Sequence, residues 1–160
     1  MEKFTFFWRS KSPFSQWYPG TFCVNNIVFN CAEQYMMYQK AKLFNDETIA
    51  QKILQTKSPN EQKKLGRKVK NFDQKKWEQA CKQIVYDGSY AKFSQNVELK
   101  KKLLATAGTT IVEASPVDRI WGVGLSEDDP RILDRTKWLG TNWLGEILTK
   151  VREDLMEEKE

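Results

Sequence analysis

Apolar residues recur every three or four positions along much of this 160-residue chain, a spacing that predicts amphipathic helices. Polar residues separate these segments, and their side-chain oxygens can accept the free N–H groups of a first helical turn. The candidate N-caps are Asn30, Asp46, Ser58, Asp73 and Asn96. We therefore expect helices over residues 31–44, 46–57, 58–66, 73 through 88, 96–108 and from 143 toward the C-terminus.

Short runs of β-branched and aromatic residues between these segments predict a few strands. We expect strands at residues 4–8 and 109–112, and a hairpin at 24–29 that turns at Asn25-Asn26. The last helix carries an apolar core stripe made of Leu144, Leu148, Val151 and Leu155. The pattern predicts an α+β fold, a predominantly helical single domain with a small β-sheet over residues 1–160, with a charged tail after about residue 155.

The composition excludes several kinds of catalytic site. The chain contains no histidine, which excludes Ser-His-Asp and Cys-His nucleophile systems and histidine-ligated zinc. Proton transfer must fall to Asp, Glu, Lys, Tyr, Cys or water. The three cysteines are scattered and match neither a disulfide framework nor a C-x-x-C metal pattern. With a mean hydropathy of −0.65 and no signal-like apolar segment, the chain is expected in a reduced, cytoplasmic setting.

Basic residues concentrate in the middle of the chain, within a net charge of +5. Residues 52–102 hold fourteen Lys or Arg and five Asp or Glu, whereas residues 113–160 hold seven basic and twelve acidic residues. The basic middle is compatible with a phosphate-bearing ligand or nucleic acid. A set of solvated, lysine-rich helix faces is the simpler explanation, and the one that the sequence favours.

The segment from Glu113 to Gly124 combines carboxylates, a proline, a tryptophan and glycines within a dozen residues. Pro116 stiffens the backbone, and Gly122 permits a close approach that a side chain would forbid. Asp118 and Trp121 on such a stiff turn suggest a group that binds a flat ring and acts as an acid or base. The alternatives are that Asp118 only accepts backbone N–H bonds in the turn, and that Trp121 packs in the core.

A second candidate lies on the helix that begins near Cys31. Glu33, Met37, Lys40 and Phe44 share one face, because positions three and four apart stack along a helix. The face predicts an acid and an amine at the edge of a pocket. The alternatives are a capping-box glutamate and a solvated lysine.

Taken together, these motifs are similar to the NADAR, or YbiA-like, family from about residue 4 to residue 152. The motifs, in chain order, are Ser15-Gln16-Trp17, Ala32-Glu33-Gln34-Tyr35 through Lys40-Ala41, Trp77, Glu113-Ala-Ser-Pro-x-Asp118-x-x-Trp121-Gly-x-Gly124-Leu125, Asp129-Pro130, Trp138-x-Gly140-x-Asn142-x-Leu144-Gly145-x-x-Leu148 and Val151-Arg152. The chain departs from the family at Gln16, where members commonly carry Asn.

The resemblance implies an N-glycosidase that cleaves phosphorylated ribosylaminopyrimidine intermediates of riboflavin biosynthesis. Other members remove ADP-ribose from guanine bases, so ADP-ribosylated nucleic acid is the alternative substrate. A non-catalytic module that binds ADP-ribose or another nucleotide is a third interpretation. No metal or redox cofactor is expected, no membrane partner is expected, and the sequence does not indicate an oligomeric state.

The resemblance also implies roles for individual residues. Asp118 and Glu33 would serve as the catalytic carboxylates, although Glu113 remains an alternative second carboxylate. Lys40 matches the family's motif lysine and is the candidate for a Schiff base with the opened sugar. Trp77 and Trp121 would stack on the base. The remaining residues expected to contact substrate are Arg9, Trp17, Glu113, Gly122 and Asn142.

Overall fold

The computed structural model describes residues 1–158. In chain order, the elements are β1 (Phe4–Phe7), β2 (Phe22–Val24), β3 (Ile27–Phe29), α1 (Ala32–Leu43), α2 (Glu47–Leu54), α3 (Pro59–Gly66), α4 (Gln74–Gln95), α5 (Val97–Leu104), β4 (Thr110–Glu113) and α6 (Trp143–Glu157). Two short 3₁₀ helices, Pro130–Leu133 and Arg135–Lys137, precede α6. The mainly helical α+β class predicted from the sequence is confirmed.

The chain divides into two compact units. The central unit is Gln16–Asn96, and the terminal unit joins Met1–Ser15 to the chain from Val97 onward. The predicted small sheet is wrong in one respect, since residues 1–158 form two separate two-stranded sheets. One belongs to each unit. The assignment of residues 1–160 to one domain stays a prediction.

Local capping signals determine where the helices of the central unit begin. The side chain of Asp46 accepts the N–H of Ile49 at 3.1 Å, which fixes the start of α2. Ser58 caps α3 in the same way, with Pro59 at its first position, and Asp73 caps α4. These three predicted helix starts are confirmed.

The predicted N-cap of α1 is wrong. The helix begins at Ala32, and its N-cap, Cys31, makes no side-chain capping bond. The Asn30 side chain instead donates to the Lys57 carbonyl at 2.9 Å, while its backbone N–H donates to Gln34 Oε1 at 2.7 Å. Gln34 therefore takes the reciprocal position that the sequence assigned to Glu33, and capping does not account for the carboxylate on α1.

The central unit is completed by a hairpin in which β2 and β3 pair antiparallel. Asn25 and Asn26 both have positive φ, at 50° and 67°, as a two-residue hairpin turn of the primed type requires. Helices α2, α3 and α4 each pack against α1. Residues 32–38 of α1 are all buried as a result. This places α1 at the middle of the unit.

In the terminal unit, β1 and β4 pair in parallel, with Phe4 opposite Thr110 and Phe7 opposite Glu113. Helix α6 packs on β4 and buries its predicted stripe from Leu144 to Leu155. The predicted strand at residues 109–112 forms one residue later, and α5 ends at Leu104, short of the predicted stop at Gly108. The terminal unit also has a small hydrophobic core, which is formed by Val112, Ala114, Val123, Leu125 and Ile132.

The charged tail predicted after about residue 155 is partly helical, because α6 continues to Glu157. The last two residues of that predicted tail lie outside the described residues. Among the helices of residues 1–158, not one combines the length and the apolar character needed to cross a membrane.

Gly145 sets the distance between α6 and β4. A Cβ at this position would overlap the Ile111 carbonyl oxygen of β4 and crowd the Asn142 amide. We expect Gly145→Ala to destabilise the protein by about 1–3 kcal/mol, because the backbone carbonyl cannot move aside as a flexible side chain would. Urea unfolding measures this change.

The exposed Lys150→Ala variant on the same helix is the control. Equal stability of Gly145→Ala and Lys150→Ala would contradict the close contact.

Candidate functional site

Glu33 in the first turn of α1 is a buried carboxyl group, with 7% of the residue exposed. Its backbone N–H donates to the Gln16 carbonyl at 2.9 Å, which fixes the loop that precedes β2. The indole N–H of Trp17 in that loop donates a hydrogen bond to the Glu33 carboxylate. The loop and the first turn of α1 therefore position the carboxyl group together.

Burial raises the pKa of Glu33 to about 7. The nearby charges of Lys63, Lys40 and Arg67 and the hydrogen bond from Trp17 all favour the ionised form, but desolvation outweighs them. A carboxyl group with a pKa near 7 exchanges its proton at neutral pH, as histidine does in other proteins. Glu33 is therefore suited to acid–base chemistry in a chain that has no histidine.

Lys40 lies two helical turns beyond Glu33 on α1. Its ammonium nitrogen is 4.8 Å from the ring centre of Phe72 and 5.6 Å from that of Trp77. Burial lowers the pKa of Lys40, and the charge of Arg67 acts in the same direction, against the opposing effect of Glu33. The amine is thus partly removed from water and held beside two aromatic faces.

The loop that carries Trp17 also borders a cavity of about 460 Å³. Its other lining residues are Pro19, Gly20, Thr21, Asn30, Cys31, Lys57, Pro59 and Asn96. Trp17 therefore binds Glu33 through its indole N–H and also lines this cavity. Gln16, where the chain departs from the family pattern, directs its side-chain amide to Met36, with Nε2 at 3.9 Å from Sδ.

In the terminal unit, Asp118 is held in a tight turn. The hydroxyl of Ser115 accepts the backbone N–H of Asp118 at 3.0 Å. One carboxylate oxygen of Asp118 accepts the N–H groups of Ile120 and Trp121, at 2.9 and 2.8 Å. The turn chemistry offered as an alternative for Asp118 is therefore present. These bonds fix the direction of the Asp118 side chain.

Glu113, at the end of β4, is the carboxyl group that interacts with Asp118. Burial raises the pKa of Glu113 to about 7, and the charge of Asp118 acts in the same direction. Glu113 therefore keeps its proton to a higher pH than an exposed glutamate does. Within the terminal unit, Glu113 is therefore the partner of Asp118.

The other residues predicted in this segment have clear structural surroundings. Trp121 is half-buried and packs edge-on against Trp143, with ring centres 5.6 Å apart. A Cβ on Gly122 would lie 3.0 Å from the carbonyl oxygens of Asp118 and Glu113, so a larger residue would push the turn open. The absence of a side chain at Gly122 therefore lets the backbone of Asp118 and Glu113 come close to it.

Asn142 holds β4 from the start of α6. Its side chain is fully buried, accepts the N–H of Glu113 at 3.0 Å and donates to the Ile111 carbonyl at 3.0 Å. The amide is thus occupied by the strand that ends in Glu113, and its predicted contact with substrate stays a prediction.

Arg9 is exposed, with φ of 74° and its guanidinium 4.3 Å from the Trp8 ring centre.

Residues 6–156 match the family model described as the NADAR domain. This chain belongs to the NADAR domain family. It is 40% identical to Protein irg-1 of Caenorhabditis elegans, over 98% of this chain and 82% of that protein. It is 44% identical to N-glycosidase R617 of Acanthamoeba polyphaga mimivirus, over 88% of this chain and 86% of that protein.

N-glycosidase YbiA of Escherichia coli is 32% identical, over 85% of this chain and 76% of that protein. The NMR structure of E. coli YbiA matches this NADAR domain with a TM-score of 0.80. The match covers 99% of this chain and 89% of that one, at 29% identity. The resemblance inferred from separated motifs is confirmed, and so is the fold it implied.

Sequence reasoning on this NADAR domain missed Phe72 beside Lys40. Phe72 directly precedes the Asp73 cap of α4, and Trp77 is the fourth residue of that helix. These are the two positions of a hydrophobic staple, in which an apolar residue before the cap pairs with one in the second turn. The staple signal was therefore available in the sequence, and it predicts both rings that face the amine.

Lys92 on α4 was also missed. Only 1% of the residue is exposed, and burial lowers the pKa of Lys92 to about 7. Its ammonium nitrogen lies 4.9 Å from the ring centre of Phe93 and 5.9 Å from that of Tyr18. Lys92 follows Gly88 by one turn on the buried face of α4, and this periodic position was the signal that could have identified it.

The buried carboxyl group on α1 predicts a pH-dependent stability. Because the pKa of Glu33 is raised in the folded protein, its stabilising contribution is complete below the ordinary pKa of 4.5 and is lost as pH rises to about 7. We expect Glu33→Gln to match the wild type in stability near pH 4 and to exceed it by roughly 1–3 kcal/mol near pH 8. Denaturant unfolding at the two pH values measures the difference.

Glu127→Gln makes the same chemical change at an exposed position and serves as the control. A gain that is identical at both pH values, or shared by the control, would show that burial does not raise the pKa of Glu33.

Proposed function

We propose that this protein is an N-glycosidase that hydrolyses the N-glycosidic bond of a phosphorylated ribosylaminopyrimidine, an early intermediate of riboflavin synthesis. As a NADAR domain with relatives named N-glycosidase, the chain is a hydrolase acting on N-glycosyl compounds. The observation that carries the proposal is the pairing on α1 of a buried carboxyl group, Glu33, with a partly desolvated amine, Lys40.

Cleavage of an N-glycoside needs a proton on the leaving nitrogen and stabilisation of positive charge at the anomeric carbon. With a pKa of about 7, Glu33 is protonated in a large fraction of molecules at neutral pH and can donate that proton. The hydrogen bond from Trp17 then stabilises the carboxylate that remains. Glu33 is therefore our candidate for the general acid.

Lys40 supplies a nucleophile for a covalent route. A ribosylamine opens to an imine, and a neutral amine can attack its C1 carbon to form a new C–N bond. The bond from C1 to the leaving amine then breaks, the leaving nitrogen takes up a proton, and water hydrolyses the lysine Schiff base to the free sugar. The lowered pKa of Lys40 increases the fraction of amine that can attack.

In the terminal unit, Asp118 is our candidate for the carboxylate that stabilises positive charge on the sugar. Its two backbone N–H donors keep one oxygen oriented. With a pKa of about 7, Glu113 can carry a proton beside Asp118, and Asn142 fixes Glu113 through its backbone N–H. Trp77 and Trp121 are the proposed stacking surfaces for the base, and the exposed guanidinium of Arg9 is a proposed sugar or phosphate contact.

A second candidate function is the removal of ADP-ribose from guanine in nucleic acid. The net charge of +5 and the cations near Glu33 are compatible with this anionic substrate as well. Binding to a nucleic acid would then weaken steeply with salt, because each phosphate contact releases counterions.

A cytoplasmic setting remains part of the proposal and rests on composition alone.

A paired turnover assay distinguishes these functions. One tube holds a ribosylaminopyrimidine phosphate and the other an ADP-ribosylated guanine oligonucleotide, with products detected by mass. We expect release of free pyrimidine in the first tube, and we expect Glu33→Gln and Asp118→Asn to lower kcat by roughly 10²- to 10³-fold. Glu127→Gln should retain the wild-type rate.

Release of ADP-ribose in the second tube alone would replace the proposed substrate with the nucleic-acid one. Silence in both tubes, together with calorimetric binding of ADP-ribose, would contradict catalysis and make the protein a nucleotide-binding module.

The covalent role of Lys40 is tested by borohydride trapping. Reduction during turnover should fix the sugar to the protein as a secondary amine, and peptide mass analysis should locate it on Lys40. The Lys40→Ala variant should show no adduct. An adduct that persists in Lys40→Ala, or no adduct in an active wild type, would remove Lys40 from the covalent role.

A further inference from the structure

Helix α3 presents two cations on one face. Lys63 and Arg67 are four positions apart, at the end of α3 and just after it, so their side chains extend from the same side. Both side chains act electrostatically on the carboxyl group of Glu33 on α1. Both side chains are exposed and follow directly after Gln62 and Gly66, the buried residues of α3, so they lie at the edge of the contact between α3 and α1.

The packing of α3 on α1 explains why these cations reach Glu33. Gly66 lies between them along the chain, and a Cβ at Gly66 would overlap the sulfur of Met37. Met37 is one turn from Glu33 and one turn from Lys40 on α1. The close approach at Gly66 thus brings Lys63 and Arg67 to the segment of α1 that carries the candidate acid and amine.

Gln62, directly before Lys63, fixes the position of α3. Its side chain is fully buried, and its Nε2 donates to Asn30 Oδ1 at 3.2 Å and to the Thr56 carbonyl at 2.7 Å. Its Oε1 accepts the Cys31 thiol at 3.3 Å, directly before α1 begins. These hydrogen bonds fix the position of α3 along α1. They therefore also fix the positions of Lys63 and Arg67 relative to α1.

The charges on this face are not neutralised by the protein. Within residues 1–158, no carboxylate forms an ion pair with Lys63 or Arg67, whereas Lys64 on the same helix lies 3.5 Å from Glu61. Lys40 adds a third cation, and Glu33 is the carboxyl group that these three cations act on. A cluster of three cations around one partly protonated acid has a net positive charge and suits an anionic ligand.

Guanidinium and ammonium groups together match a phosphate. Arg67 can donate two parallel hydrogen bonds to phosphate oxygens, and Lys63 can supply a compact charge beside it. We propose that Lys63 and Arg67 form the subsite for the phosphate carried on the ribose C5 of the substrate. This inference rests on the proposed function for the identity of the sugar, while the phosphate chemistry follows from the cation cluster itself.

The subsite is tested by binding, without turnover. Calorimetric titrations would compare ribose, ribose 5-phosphate and ADP-ribose in the wild type, Lys63→Ala and Arg67→Ala. We expect each substitution to weaken ribose 5-phosphate binding by about tenfold, as the loss of one charge-assisted hydrogen bond predicts, and to leave ribose binding unchanged. Arg67→Lys should fall between the wild type and Arg67→Ala, because it keeps the charge and loses the bidentate geometry.

Lys68→Ala is the matched control, since Lys68 is exposed like Lys63 and Arg67 and forms no ion pair within residues 1–158. Lys64→Ala is a second control, at an exposed lysine whose charge is paired with Glu61. Equal weakening by the control substitutions would show a general charge effect and overturn the subsite, as would equal affinity of the wild type for ribose and ribose 5-phosphate. The response to ADP-ribose identifies the source, because a diphosphate-specific effect would assign the subsite to ADP-ribose.

The result of the binding test on the phosphate subsite can be distinguished from the result of the turnover assay on the proposed function. Loss of ribose 5-phosphate binding in Lys63→Ala and Arg67→Ala, with no glycosidase activity in the wild type, would overturn the proposed function and keep the subsite. Turnover with unchanged binding and unchanged KM in both variants would keep the function and overturn the subsite.

Discussion

Removing the Glu33 carboxyl group from water is unfavourable, and the surrounding interactions of the central unit compensate for it only in part. The Trp17 indole donates to the carboxylate, and Lys63, Lys40 and Arg67 favour its charge. Burial still dominates and leaves the pKa near 7. In a chain without histidine, this balance supplies the proton exchange at neutral pH that the proposed chemistry requires.

The terminal unit reaches a similar pKa by a different route. Glu113 has burial and a neighbouring carboxylate, Asp118, both acting to raise its pKa, with no cation among the causes. The arrangement depends on backbone geometry, because Gly122 permits the turn and Asn142 binds the N–H of Glu113. Burial therefore raises the pKa of both residues; nearby cations oppose it at Glu33, whereas the like charge of Asp118 adds to it at Glu113.

The elements governed by local rules could be predicted from the sequence. Asp46, Ser58 and Asp73 each satisfy N–H groups within their own first turn, so the signal and its effect lie within a few residues. The start of α1 was mispredicted because Asn30 has a tertiary partner, the Lys57 carbonyl. The two separate sheets were missed for a related reason, since strand composition does not specify which strands pair.

The candidate residues were identified by motif resemblance, but their pKa values and burial could not be predicted from the sequence. A pKa near 7 for Glu33 depends on how completely α2, α3 and α4 cover α1, and no spacing along α1 encodes that coverage. Lys92 shows the same limit, because a lysine on a helix is ordinarily solvated and this one is buried by packing. Periodicity indicates a face, whereas burial is a property of the assembled unit.

The proposed phosphate subsite would connect binding to acid strength. In the free protein, Lys63 and Arg67 lower the pKa of Glu33 against the effect of burial. A phosphate bound to both cations would neutralise much of that field, so the proton affinity of Glu33 would rise when the substrate is in place. By linkage, a protonated Glu33 would then favour phosphate binding to the same extent. The α3 cations would thus help to ensure that the acid carries its proton when a phosphorylated substrate is bound.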